Sequence, residues 1–207
     1  MLNSYAVPYA AHIEADLGVR VRLDNRGVAG MKSDELLELL LSDQELRNAI
    51  SGAEIVTLVI GFNDLGLALT DPNGRGNCGS ADTADCLRDA LEAFKRNYDA
   101  ICAELFTLCS SKAIIRTMTY HYGSLNQWGF YDDLRPFFEP LNDYIVQAAS
   151  ENNIPVALVH LAYNGPEGDE DPVAKGYLMP DRLHPNKEGA AVIADLHREL
   201  GYEVTCP

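Results

Sequence analysis

Apolar and polar positions follow two different periods along this chain, and the places where the period changes mark its elements. YAVPYAAHIEADL (5–17) carries apolar side chains three and four apart, which predicts an amphipathic helix closed by Gly18. VRVRL (19–23) alternates, which predicts a strand. DNRGVAG (24–30) reads as a glycine-punctuated loop. Ser33 stands where an N-cap belongs, ahead of a helix over DELLELLLSDQELRNAI (34–50) with acids in its first turn. The unbroken apolar run EIVTLVIGF (54–62) is what a strand buried on both faces requires. A polar, glycine-rich loop over 66–81 precedes a helix over 83–108 and a second buried strand, KAIIRTMTY (112–120). DLRPFFEPLNDYIVQAASEN (133–152) is helical in period, although two prolines interrupt it. IPVALVHL (154–161) reads as a strand, 164–176 as an acidic loop, and 186–200 as the last helix.

Strands that alternate with helices predict an α/β fold, a parallel sheet covered by helices on both faces, built as one domain over residues 1–207. In such sheets the functional loops lie beyond the carboxyl ends of the strands. NRGVAG, GFND and YHYG stand in that position directly, and DRLH follows the last strand after its long loop.

Composition narrows the partners. The net charge of −15 repels nucleic acid and anionic lipid, so neither is expected to bind. No apolar stretch is long enough for a membrane-spanning helix, and the N-terminal residues lack the pattern of a signal peptide. The cysteines are Cys78, Cys86, Cys102, Cys109 and Cys206, with no CxxC, so zinc and thioredoxin-like chemistry have no support. Cys78 and Cys86 bracket a polar loop that a disulfide can close. Cys102 and Cys109 can pair only if the helix ends near Phe106. Two such bridges with one spare thiol point to an exported protein, the reading preferred here, whereas five buried free thiols would point to the cytosol. GRGNCG (74–79) matches GxGxxG but follows no strand, and GPEGDED lacks EF-hand spacing, so no cofactor and no metal are expected.

The candidate chemistry lies in MPDRLHPNKEG. Asp181 can hold one imidazole nitrogen of His184 and leave the other free to take a proton from a nucleophile, with Pro185 in the first turn of the helix that follows. The bland alternative is a loop-to-helix junction that happens to carry a histidine. Asn63, closing a buried strand, can offer its amide to an oxyanion, with the Gly30 N–H as a second donor. It can equally cap a turn. Phe62, Tyr120 and His121 stand at strand ends where a substrate cleft would open, although His121 reads equally as a satisfied loop histidine, while His12, His160 and His197 have no motif partner and read as surface or core.

The order NRGVAG, IGFND, DRLHPN resembles the SGNH (GDSL-type) ester hydrolases. Gly30, Asn63, Asp181 and His184 match the family's glycine, asparagine, acid and histidine, over nearly the whole chain. The resemblance implies a flavodoxin-like α/β/α sandwich, no cofactor, and hydrolysis of small acyl or aryl esters through an acyl-serine.

One family block has no counterpart. No Gly-Asp-Ser occurs, and Ser4, Ser33, Ser42 and Ser51 stand at helix entrances or ends. Cys78 is a formal thiol candidate, better used in a disulfide. In the family that block is a central strand, so its loss should leave a gap of roughly 9–10 Å between the 19–23 and 54–62 strands. Three outcomes are open: the strand was left off by truncation or a misplaced start, the flanking strands close up, or another chain fills the gap; if these residues are the whole polypeptide, a rearranged sheet or a homodimer through the open edge is expected. The sequence also leaves room for a non-catalytic relative that binds an acyl or carbohydrate ligand.

Overall fold

In the computed structural model the described residues are 4–70, 83–123 and 129–206. By their internal contacts they fall into two compact units, one within Met1–Gly27, Met118–Trp128 and Val156–Tyr202, the other within Val28–Thr117, Gly129–Pro155 and Glu203–Pro207. Among the described residues the sheet has three strands in the order β1 (Ile55–Leu58), β2 (Ile114–Met118), β3 (Val156–Ala157). β1 and β2 run parallel, with Ile55 opposite Ile114 and Leu58 opposite Thr117. β3 joins through Thr117 N–H to Pro155 O (3.2 Å) and Thr119 N–H to Ala157 O (3.0 Å).

In the first unit α1 (Ala6–Leu17) packs on α8 (Lys187–Glu199). Tyr9 and Ile13 of α1 are buried, as are Ala190, Ile193, Ala194 and His197 of α8. His197 is stacked by Tyr5 at 5.0 Å, so the histidine with no motif partner is a core residue. α1 ends as expected, at a left-handed Gly18. The next segment departs from expectation. VRVRL forms no strand: Val19 and Leu23 are exposed, and the Val21 N–H turns back to the Glu14 carboxylate (2.8 Å). Alternation marks a segment fit for a ladder, but the ladder itself needs a neighbouring strand, and none pairs with this one among the described residues.

The second unit is organised on α5 (Thr83–Leu108), whose Leu87, Leu91, Phe94, Tyr98, Ile101, Cys102 and Leu105 form one buried stripe at helical spacing. α2 (Ser33–Ser42), α4 (Phe62–Thr70) and α6 (Gly129–Glu151) pack against it. The single helix expected over 34–50 is two helices. Asp43 leaves helical geometry and its carboxylate caps α3 (Gln44–Ser51) at Glu45 N (2.9 Å) and Leu46 N (3.1 Å). The expected strand over 54–62 stops at Leu58, and part of the expected loop over 66–81 is α4. Gly61, at φ 134, makes the turn between them; a Cβ there would lie 2.6 Å from the Phe94 ring. α6 runs through Pro136 and Pro140, its apolar stripe of Leu134, Phe138, Leu141 and Ile145 outweighing the lost N–H groups. The strand expected over 154–161 is only β3, followed in the first unit by α7 (Val159–Asn164), which buries Val159 and Tyr163 one turn apart.

The disulfide expected between Cys102 and Cys109 does not form. α5 continues unbroken to Leu108, which keeps the two sulfurs about two turns apart. Cys102 is a buried free thiol, and Cys109 is bonded to Cys206. That bond fixes the tail, whose Thr205 Oγ1 accepts the Ile115 N–H (2.7 Å). Cys86 is also disulfide-bonded, while Cys78 lies outside the described residues.

Candidate active site

The Asp181–His184 turn belongs to the first unit. Asp181 Oδ1 accepts the N–H groups of Leu183 and His184, both at 3.0 Å, so the carboxylate folds the turn. Between them Arg182 takes a left-handed backbone, φ 60. Oδ2 is thereby aimed at His184, whose Nδ1–H donates to it at 2.9 Å. Burial alone pushes the Asp181 carboxyl up; the two N–H groups and the imidazole outweigh it and hold the group below the usual carboxylate value. With Nδ1 engaged, the lone pair of the neutral ring is on Nε2, the atom a general base uses.

The turn is braced from behind. Met179 N–H donates to His184 O (2.8 Å), Leu178 bridges Pro185, and Asn186 N–H donates to Tyr177 O (2.9 Å). Asn186 caps α8, its Oδ1 accepting the Gly189 N–H (2.9 Å). Pro185 therefore precedes the cap and does not enter the first helical turn as expected. Gly189 is required here, since a Cβ would lie 2.2 Å from Tyr177 O.

In the second unit, Gly30 and Asn63 come together around Met31. Gly30 has φ 83, is exposed, and its N–H donates to no group among the described residues. Asn63 Nδ2 donates to Met31 O at 3.1 Å, which orients the amide and leaves its second N–H free for another acceptor. Beneath them lies a cluster that sequence reasoning missed. Ser33 is not the N-cap of α2; Lys32 is, its N–H held by Glu35 (2.8 Å). Ser33 instead gives its N–H (3.1 Å) and its hydroxyl to buried Asp64, and takes a hydrogen bond from Asn97 Nδ2 (3.0 Å). Burial pushes the Asp64 carboxyl up, and the Ser33 hydrogen bonds only partly oppose it. Asp64 thus ties the start of α2, next to Gly30, to the first turn of α4, which carries Asn63. The polar residue after Asn63 in GFND was the available signal. An open groove of about 460 Å³ runs beside Gly30, lined by Val28, Met31, Glu35, Leu39 and Ser42.

The expected cleft residues belong to different units. Phe62 stacks on Phe138 in the second unit (5.6 Å). Tyr120 is half-buried and His121 is buried in the first. His160 binds Thr119 Oγ1 (2.7 Å) and His12 pairs with Asp195 (2.8 Å), both structural uses. Among the described residues no cluster of histidine, cysteine and carboxylate side chains could hold a metal ion, and no helix is long and apolar enough to cross a membrane.

The described strands form an α/β fold whose last strand is followed by the Asp181–His184 turn. Residues 3–192 match the GDSL-like Lipase/Acylhydrolase family, and the chain belongs to that family. Among solved structures it is similar to the lipase Lip_vut3 from a goat rumen metagenome, at 19% identity and TM-score 0.74 over 97% of this chain and 88% of that one. It is also similar to Axe2, an acetylxylan esterase from Geobacillus stearothermophilus, at 20% identity and TM-score 0.68 over 97% and 82%. No curated protein matches.

Proposed function

We propose that this chain carries the acid–base and oxyanion parts of an esterase that cleaves small acyl or aryl esters through an acyl-serine. His184 Nε2 takes the proton as a serine oxygen attacks the acyl carbon. The Gly30 N–H and the free Asn63 N–H receive the developing oxyanion, and the same proton then goes to the departing alkoxide. Water repeats the sequence on the acyl-serine. Asp181 holds the imidazole and stabilises its charged form. The serine belongs to a Gly-Asp-Ser strand that these 207 residues do not contain.

The 2.9 Å contact between Asp181 and His184 carries this reading. In Axe2, the catalytic mutants replace a serine, an aspartate and a histidine, the last two three positions apart, the spacing found here. The disulfides fit an oxidising, exported setting.

The test supplies the missing part. A chain extended at its N-terminus by a strand ending in Gly-Asp-Ser is expected to hydrolyse 4-nitrophenyl acetate and to bind fluorophosphonate covalently, with His184→Ala abolishing turnover. An extended chain that folds yet turns over no ester in a broad panel refutes the reading. The lack of Gly-Asp-Ser favours a second reading, a ligand-binding relative without catalysis. It predicts saturable acyl or sugar binding and no fluorophosphonate adduct.

A further inference from the structure

We propose that Asn186 is a positioning residue for His184, acting by clamping three successive backbone carbonyls that hold the Asp181–His184 turn in place. This rests on the ester-hydrolase reading above and adds a residue to the acid–base part of that site.

The pair needs outside support. The side chains of His184 and Asp181 are 47% and 43% exposed, so water competes for both ends of their hydrogen bond. Their placement must come from the backbone. Met179 holds the turn at two points: its N–H donates to His184 O (2.8 Å), and its carbonyl accepts the Arg182 N–H (2.8 Å). The position of Met179 is set by the three residues before it. The Gly176 N–H donates to Val173 O and the Tyr177 N–H to Pro172 O, both at 3.0 Å, so these N–H groups are spent on the acidic loop. The carbonyls of 176–178 all go to Asn186. Its side-chain amide donates to Gly176 O (2.7 Å) and Leu178 O (3.2 Å), and its backbone N–H donates to Tyr177 O (2.9 Å).

The remaining group, Oδ1, accepts the Gly189 N–H (2.9 Å) and caps α8. Capping needs only an acceptor, so aspartate and serine serve there about as well as asparagine. Clamping needs two hydrogens on one nitrogen. A carboxylate has none, and a serine hydroxyl has one on a shorter arm. Among the favoured caps only asparagine can do both, and the two jobs can therefore be separated by substitution.

The 207-residue chain is labelled with 15N, and the ring tautomer of His184 is read at about pH 9, above the ordinary histidine range. Amide exchange over 190–194 reports on α8. Wild-type protein is expected in the Nδ1–H form that the Asp181 contact requires. In Asn186→Asp and Asn186→Ser, exchange over 190–194 should stay within about twofold of wild type. The ratio of the Nδ1–H to the Nε2–H form should fall by about three- to tenfold. Asn186→Asp, which sets a carboxylate against two carbonyls, should fall furthest, and Asn186→Ser decides the matter if that variant does not fold. An unchanged ratio in the folded variants makes Asn186 a cap alone and overturns the proposal, with the Asp181–His184 pair left standing. Loss of α8 protection alongside the tautomer in both variants also overturns it, since the role is then structural. A wild-type His184 in the Nε2–H form overturns both the proposal and the ester-hydrolase reading.

Discussion

At the scale of single residues, two carboxylates have opposite surroundings and opposite uses. Asp181 is half exposed and accepts from two N–H groups and the imidazole. Asp181→Asn keeps an oxygen for the two N–H groups, so the turn should hold and the melting temperature should change little. It loses the charge that stabilises imidazolium, and kcat of a serine-complete chain should fall on the order of 10⁴-fold in a 4-nitrophenyl acetate assay. Asp64 is buried and its carboxyl is raised above the ordinary 3.8. The native state therefore holds this proton more tightly than the unfolded chain. Its contribution to stability is present below the unfolded value and is lost as pH rises toward the folded one. Asp64→Asn removes that loss, so its melting temperature relative to wild type should climb as pH rises through and above the ordinary carboxylate value in thermal unfolding. The Asp181–His184 contact was legible in the sequence because its two residues are three positions apart. The Ser33–Asp64–Asn97 cluster was not, because its members are 31 and 64 positions from Ser33.

At the scale of elements, sequence pattern found α1, α5 and α8 nearly to their ends, since each combines a long apolar stripe with clear boundaries. It overextended the strands. EIVTLVIGF and IPVALVHL are apolar throughout, and an apolar run alone does not say where a strand gives way to a buried helix. The boundaries came from features with no period: the φ of Gly61, and the Val159–Tyr163 face of α7. The start of α8 is set the same way, by the close approach of Gly189 to the Tyr177 carbonyl. Gly189→Ala gains helix propensity and should still destabilise, by about 1–3 kcal/mol from overpacking, measured by denaturant unfolding. Because the displaced strand of backbone braces His184, esterase activity in the serine-complete chain should drop with it.

At the scale of the whole molecule, the fold class was legible from the alternation of strands and helices, and the family from the order of its blocks. What pattern could not supply was the fate of VRVRL, a strand-like segment that depends on a neighbour for its ladder. β1 is likewise an edge of the sheet among the described residues, and Ile55, Val56 and Thr57 are only half-buried where all of β2 is buried. Apolar edges of this kind recruit further strands. We expect the 207-residue chain to self-associate in sedimentation velocity, and the chain extended by a Gly-Asp-Ser strand to run as a monomer; two monomers would remove the edge from consideration. The Cys109–Cys206 bond has a different consequence. It closes a covalent ring that contains β2, α6, β3, Asp181, His184 and α8. A protease that nicks the exposed acidic loop near Glu167 cuts the ring without dividing the molecule. The fragments part only when a reductant opens the sulfur link.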